Sequence, residues 1–446
     1  MSSFTQTLQN IFRIDELKQR IIFTVLVLLV VRIGAQITLP GINVQMLHEL
    51  NRTSSGNDLF GLFDLFVGGA FSNAALFALG IMPYITSSII FQLAGIVIPE
   101  IAKMQKEGEE GRRKINQYTR LFTVVVAGLQ AWAMSIRLTT MADQAGNHIY
   151  ATNVVLFTIT TTIVLTAGTL FLMWLGEQIT ERGLGNGISL IIMVGIVSRL
   201  VPALIQEYNQ VFVLAERPWV LEIVVFTLLI VIIASVIYIT QGARRIPVQY
   251  AKRQVGKKVF GGTTQYIPLR VNTAGVMPII FAQSLMFIPN TVYSFFPDNQ
   301  ILFTIANAFR EHGLFYSVFY AFLIIAFTYF YTAIVFNPKE IADNMKKNGG
   351  FIPGIRPGKP TSDYVDHVLA RITLPGSMFL ALIAILPTFA SNILGVTGGF
   401  ASFFGGTSLL IVVGVALDTL QQIESYLLMR HYDGFMKSGK IKGRVS

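Results

Sequence analysis

Ile21-Ile-Phe-Thr-Val-Leu-Val-Leu-Leu-Val-Val-Arg-Ile-Gly-Ala-Gln-Ile-Thr-Leu39 carries Arg32 as its one charged residue. At 1.5 Å of rise per residue, an apolar helix of about 20 residues crosses the roughly 30 Å hydrocarbon core of a bilayer. The run ends in Pro40-Gly41 and not in a small-residue cleavage site, so it reads as a retained span and not as a signal peptide.

Nine further runs follow the same logic. They are Ala74 to Ile98, Tyr118 to Leu138, Thr152 to Leu175, Ile188 to Ile205, Val220 to Ile239, Thr273 to Phe295, Leu314 to Phe336, Ile372 to Ser391 and Thr407 to Leu428. The composition agrees, with 53% hydrophobic and 13% charged residues over 446 positions and a mean hydropathy of +0.59. Soluble chains carry about 25% charged residues. The expectation is one all-α polytopic membrane domain of ten transmembrane helices.

Charge gives the orientation. Of the 34 Lys and Arg residues, 28 fall in alternate connections: the N-terminal tail, 99–120, the turn at Arg182, 240–272, 337–371 and the C-terminal tail. The positive-inside rule then puts both termini in the cytoplasm. Two of these connections, 240–272 and 337–371, are long, basic and rich in Gly and Pro, and long loops are where binding work is commonly placed. Five spans in each half permit an inverted repeat with a pathway between the halves.

Between the first two full spans lies Asp58-Leu-Phe-Gly-Leu-Phe-Asp-Leu-Phe-Val-Gly-Gly-Ala70. Leu59, Leu62, Phe63, Phe66 and Val67 recur at helical spacing, but the segment is too short to span, and Gly68 and Gly69 break it. Asp58 and Asp64 make lipid exposure costly. Two readings fit: an amphipathic helix on the outer surface, or a re-entrant half-helix in a protein-lined cavity, the form a movable stopper would take.

Catalytic chemistry is poorly supported. Cys is absent, which excludes disulfides, thiolate metal sites and cysteine nucleophiles. His48, His148, His312, His367 and His431 all fall outside the span interiors. Gly183-Leu-Gly185-Asn-Gly187 lacks the third glycine of a phosphate-binding loop at the required spacing and reads as a tight turn. No enzyme activity, cofactor or metal is expected, and ATP or GTP would be used by a partner. A ten-span secondary transporter of a small solute is the alternative, and it would lean on Asp418 or Glu424.

Three strings are specific: Gly80-Ile-Met-Pro-Tyr-Ile-Thr-Ser-Ser-Ile-Ile90, Gly176-Glu-Gln-Ile-Thr-Glu-Arg-Gly-Leu-Gly-Asn-Gly-Ile-Ser189 and Phe351-Ile-Pro-Gly-Ile-Arg-Pro-Gly358. Arg244-Arg-Ile-Pro-Val-Gln-Tyr-Ala-Lys-Arg253, Val271-Asn-Thr-Ala-Gly275 and Tyr432-Asp-Gly-Phe-Met-Lys-Ser-Gly439 extend them in order along the chain. With these motifs the chain resembles the SecY family of protein translocation channels.

The resemblance implies two pseudo-symmetric five-helix halves, 1–210 and 211–430, around a central pore, with a cytoplasmic tail at 431–446. Residues 58–71 correspond to the family's plug, comprising Leu59, Leu62, Phe63, Phe66, Val67, Gly68 and Gly69. The pore ring falls on Ile85, Ile89, Ile192, Ile280 and Ile411. Independently of that match, Ile85 and Ile89 share a helix face, as do Ile188 and Ile192. A ring of aliphatic side chains suits a conduit for arbitrary sequences, because it makes no hydrogen bonds that hold one substrate and resists wetting when narrow.

The family's lateral gate falls on Gln92, Gln283 and Ser284. Docking of the SecA motor ATPase and of the ribosome falls on Arg244, Arg245, Lys252, Arg253 and Arg356. An arginine between Pro353-Gly354 and Pro357-Gly358 is presented for phosphate or carboxylate contacts. Small SecE- and SecG-type membrane subunits, signal sequences, unfolded preproteins and membrane lipid complete the implied partners. The implied location is the plasma (inner) membrane.

Overall fold

The computed structural model describes residues 14–47, 64, 67–140, 148–150, 153–214, 218–250, 253–255, 258–260, 264–272, 275–286, 288–295, 299–309, 313–396, 398–401, 403 and 406–438. The membrane part is helical. The helices are α1 (Asp15–Gly34), α2 (Met82–Val97), α3 (Pro99–Lys106), α4 (Glu109–Thr140), α5 (Val154–Arg182), α6 (Gly187–Tyr208) and α7 (Trp219–Gln241), followed by α8 (Met277–Met286), α9 (Ile288–Phe295), α10 (Gln300–Ala308), α11 (Leu314–Val335), α12 (Pro338–Lys347), α13 (Lys359–Leu394), α14 (Gly398–Ala401) and α15 (Gly406–Ser438). A π-helical turn, Asn209–Val213, follows α6.

Among the described residues, seven helices are long and apolar enough to cross a membrane, or eight if the bent pair α2–α3 counts as one. Ten were expected, and the differences have local causes. The first run forms α1, which starts at Asp15 among polar residues and stops at Gly34. Beyond it the chain leaves the helix and pairs with the next segment, Leu39 N–H donating to the Ala74 carbonyl (2.9 Å) and Leu76 N–H to that of Ile37 (2.8 Å). Residues 74–81 are consequently turns, and α2 begins only at Met82.

At its other end α2 breaks by 103° into α3. Pro99 is the cause: a residue preceding proline is pushed out of the helical region, and Ile98 sits at φ −103, ψ 112. In the seventh run the described helices are α8 and α9, on either side of Phe287, which lies outside the described residues, so the run is not counted among the seven.

The chain forms two compact units, one of Met1–Pro202 with Ser294–Phe296 and Ile411–Ser446, the other of Ala203–Tyr293 with Pro297–Leu410. In the first, α4 and α5 pack along a ridge of small residues. Thr119, Thr123, Ala127, Ala131 and Ser135 recur every fourth position on α4 and are buried, while Leu121, Val125, Leu129 and Trp132 on the same helix are exposed. Small residues let helices approach closely where lipid supplies no hydrophobic driving force. The Thr119 and Thr123 hydroxyls satisfy themselves on the carbonyls four residues back. Toward the C-terminal end of α4 and the N-terminal part of α5, Leu138, Phe157 and Leu165 join Leu39, Leu47, Ala78, Leu79 and Ile149 in an apolar core.

In the second unit, a feature outside the all-α expectation occupies the connection after α7. Strands β1 (Ala243–Tyr250), β2 (Arg253–Val255), β3 (Lys258–Phe260), β4 (Thr264–Arg270) and β5 (Gly350–Phe351) form a three-stranded sheet of order β4-β1-β5 and a two-stranded β2-β3 ribbon. Pro247 argues against a central strand in the sequence. It is accommodated because β5 pairs only with Gln249 and Tyr250, leaving β1 an edge on that side at Pro247. Ile246, Val248 and Leu269 pack on Met345, Ile352, Val365, Val368 and Leu369 from α12, α13 and the loop between them.

Candidate functional site

The expected plug segment lies partly within the described residues. Leu59, Leu62, Phe63 and Phe66 fall outside them; Asp64, Val67 and the chain from Gly68 onward fall inside. Gly68 and Gly69 adopt φ +67 and +94, which only glycine takes readily, and reverse the chain. The reversal is closed from within. Gly69 N–H donates to the Asp64 carbonyl (2.9 Å) and Ala75 N–H to that of Ala70 (2.8 Å). Ser72 donates twice to the Asp64 carboxylate, from its backbone N–H (2.8 Å) and its hydroxyl (2.7 Å).

Three arginines from three helices converge on this turn. Arg199 of α6 pairs with the buried Asp64 carboxylate and donates to the Ser72 hydroxyl at 2.9 Å. Arg32 of α1 donates to the Gly68 carbonyl at 3.2 Å. Arg137 of α4 lies over the Phe71 ring, 5.7 Å from its centre, a cation–π contact. None of Arg32, Arg137, Arg199 and Ser72 stands among the candidate site residues that the sequence offers. All three arginines lie outside the basic connections that follow the positive-inside rule, a departure that could have singled them out.

Beside the turn lies a small cavity of about 30 Å³ lined by Arg32, Val67, Gly80, Ile81, Ile192 and Gly195 among others. Ile192 and Val67 thus face the same space. Ile85 and Ile89, on α2, are 6% and 7% exposed, and Ile192 is 4% exposed. Ile411, the fifth aliphatic candidate, is fully buried in the same unit. Ile280 belongs to the second unit, buried on α8. The cavity contacts bring Ile192 and Val67 together; they do not include Ile85, Ile89 or Ile411.

Two of the three gate candidates hydrogen-bond within their own helices. Gln92 is half-buried and its Nε2 donates to Ser88 Oγ at 3.1 Å. In the second unit Gln283 and Ser284 are buried, and Ser284 Oγ donates to the Ile280 carbonyl at 2.8 Å.

Arg244 and Arg245 are exposed at the start of β1. Lys252 lies outside the described residues; Arg253 begins β2. Arg356 is exposed on a turn anchored by buried Ile352, with Ile355 N–H donating to the Ile352 carbonyl (3.0 Å) and Thr361 Oγ1 to the Arg356 carbonyl (2.8 Å). Its backbone is fixed while its side chain faces out.

Gly183–Gly187 is a tight turn whose amides are consumed internally. Leu184 N–H donates to Thr24 Oγ1 (3.0 Å), Gly185 N–H to Gln422 Oε1 (2.9 Å), and Gly187 N–H to Thr180 Oγ1 (2.9 Å). Asn186 Oδ1 accepts from Ile188 N–H (3.1 Å). A phosphate cradle needs such amides unpaired and convergent. Here they tie α1, α5, α6 and α15 to one point, and Arg20 reinforces it by donating to the Gly183 carbonyl and lying over the Tyr426 ring.

Comparison with known proteins bears on the whole of this arrangement. The family model described as SecY matches residues 75–420. The protein translocase subunit SecY of Thermotoga maritima is 43% identical over 444 residues, covering 98% of this chain and 99% of that protein. Among solved structures, a channel whose plug domain stabilises the closed state and maintains a membrane seal is similar with a TM-score of 0.63 at 18% identity, covering 96% of this chain and 95% of that one. Sec61 in the canine ribosome–channel complex from the endoplasmic reticulum is similar with a TM-score of 0.60 at 18% identity, with the same coverage. Full-length agreement in sequence, and a helical fold shared with these channels, make this chain an integral multi-pass membrane protein that belongs to the SecY family.

Proposed function

We propose that this chain is the central protein-conducting subunit of a Sec translocon, passing unfolded secretory polypeptides across the membrane and releasing transmembrane segments sideways into lipid. The observation that supports this reading is that Val67, beside the Gly68-Gly69 turn, and Ile192 line one cavity. A stopper close to an aliphatic residue of the pathway suits a closed conduit for diverse chains. Residues 58–71 act as the plug, and Ile85, Ile89, Ile192, Ile280 and Ile411 as the ring. The halves 1–210 and 211–430 are the two bodies of the channel, and Gln92, Gln283 and Ser284 lie along the seam that opens to lipid.

In the same reading both termini are cytoplasmic and the membrane is the plasma membrane. The sheet bearing Arg244 and Arg245 and the turn bearing Arg356 dock a ribosome or a SecA-type ATPase, and SecE- and SecG-type subunits clasp the helices. Among the relatives, Sec61 in a ribosome–channel complex supports the ribosome as a partner. The channel is passive, with energy supplied by translation or by the ATPase. The solute-transporter alternative is disfavoured by the relatives, which are protein translocase subunits; Asp418 and Glu424 are exposed residues of α15.

A photo-crosslinker at Ile89 or Ile192 tests the conduit, in vesicles holding this chain, a SecE-type subunit, SecA and a stalled precursor. Crosslinks that need both ATP and a signal sequence are the expected result. Their absence with active SecA and correctly inserted protein would overturn the reading.

A further inference from the structure

We propose that Asp64, Ser72 and Arg199, with Arg32 on the Gly68 carbonyl, form a polar latch that holds the plug segment shut, and that parting of Asp64 from Arg199 is the step that frees it. The inference rests on reading residues 58–71 as a plug, and it names what fastens that plug.

The geometry is that of a clasp between two elements, one fixed and one able to leave. Arg32 and Arg199 stand on α1 and α6, whereas Asp64, Gly68 and Ser72 all belong to the turn. Ser72 links the parts, since its hydroxyl donates to Asp64 at 2.7 Å while accepting from Arg199 at 2.9 Å. Asp64 is shared by Ser72 and Arg199, so its loss unties both at once, while Arg32 holds the Gly68 carbonyl separately.

The two glycines make the close approach possible. A Cβ on Gly68 would lie 2.5 Å from Arg32 Nη1 and 2.7 Å from the Gly195 carbonyl oxygen, and one on Gly69 would lie 3.1 Å from the Arg199 guanidinium carbon. Their positive φ values and lack of side chains bring the turn's acceptors within reach of both arginines.

An ion pair suits a latch that must release on entry of a chain. Its attraction is strong in a dry, low-dielectric setting and falls steeply once water is admitted. In the closed turn Asp64 is 7% exposed and the Arg199 side chain 31%, so the carboxylate is the shielded half of the pair. When a polypeptide parts the seal and brings water with it, the pair weakens and the turn leaves. Departure strips Arg32 and Arg199 of their partners and leaves two like charges facing the vacated space. The return of the Asp64 carboxylate relieves that state, so the latch also drives reclosure.

The test uses full-length protein with its SecE-type subunit in vesicles, and reads two quantities: resting ion leak, and the labelling rate of a single cysteine introduced as Asn73→Cys by a membrane-impermeant maleimide from the outer side. The chain has no other cysteine. Asp64→Asn and Arg199→Gln are each expected to raise both quantities at least tenfold, and the milder Ser72→Ala severalfold. Deletion of residues 59–70 is the reference for a lost plug.

If the deletion leaks but the point variants change neither leak nor labelling, the latch is overturned and the plug stands. If the deletion itself stays sealed, the plug reading fails first. A leak without faster labelling would also overturn the latch, because the seal would have failed elsewhere. Should Asp64→Asn prove unstable in detergent, Ser72→Ala, which keeps every charge, decides the matter by the same two readouts.

Discussion

Gly187 stands so close to Gly176 that a Cβ on Gly187 would lie 2.0 Å from the Gly176 carbonyl oxygen. The obstruction is backbone, which cannot swing aside. Gly187→Ala must therefore part α5 from α6, and it is expected to destabilise by about 3 kcal/mol, the upper end of overpacking costs. Gly128 on α4 has nothing within 4 Å of its virtual Cβ, and Gly128→Ala is expected to be neutral or to stabilise by up to about 1 kcal/mol through helix propensity. Thermal unfolding in detergent of the two variants side by side checks both signs.

Thr24 supplies the acceptor for the Leu184 amide, and both residues are buried. Thr24→Val keeps the volume and removes that acceptor, leaving a buried N–H unpaired at a cost of about 1–3 kcal/mol. Thr24→Ser retains the hydroxyl and is expected to recover most of the loss. Equal destabilisation by both would show that the hydrogen bond is not what matters at that position.

Ile192→Asn puts a hydrogen-bonding group where the cavity beneath the turn is apolar. A polar ring member lowers the cost of wetting a constriction. The expected outcome is a severalfold higher ion leak with unchanged insertion into the membrane, measured on reconstituted vesicles, while Ile192→Leu leaks no more than the parent.

Arg356→Glu reverses a charge on a backbone turn fixed by Ile352 and Thr361. SecA-dependent transport of a precursor is expected to fall at least tenfold, with the channel inserted at normal levels and Arg356→Lys retaining part of the activity. Transport at the parental rate in the glutamate variant would remove Arg356 from the docking surface.

Much of this was legible in the residues. Span-length apolar runs and one-sided charge identified a polytopic helical membrane protein, and the Gly183–Gly187 string was read as a turn because its glycine spacing is wrong for phosphate. Helix limits were less accessible. Residues 35–39 and 74–81 are as apolar as the helices beside them, and the hydrogen bonds between those two segments take them out of helical structure. The sheet around β1 escaped notice because Pro247 interrupts a short alternating run, and one of its partners, β5, lies about 100 positions on in the chain.

The fastening of the turn at Gly68 and Gly69 was half visible. Asp64 was marked as costly in lipid, yet its partner is 135 positions away in Arg199, a pairing that no local pattern encodes. Ion pairs between distant helices are fixed by packing, and packing was the part a single sequence left open.

The break at Ile98 has a mechanical consequence. α2 is joined to α3 at 103°, and its Phe91 ring is held against Tyr118 and Phe122 of α4, with ring centres 6.4 and 5.9 Å apart. The helix that carries Ile85 and Ile89 and the basic stretch between Pro99 and Arg120 therefore share one support, the α4 face that holds Phe91.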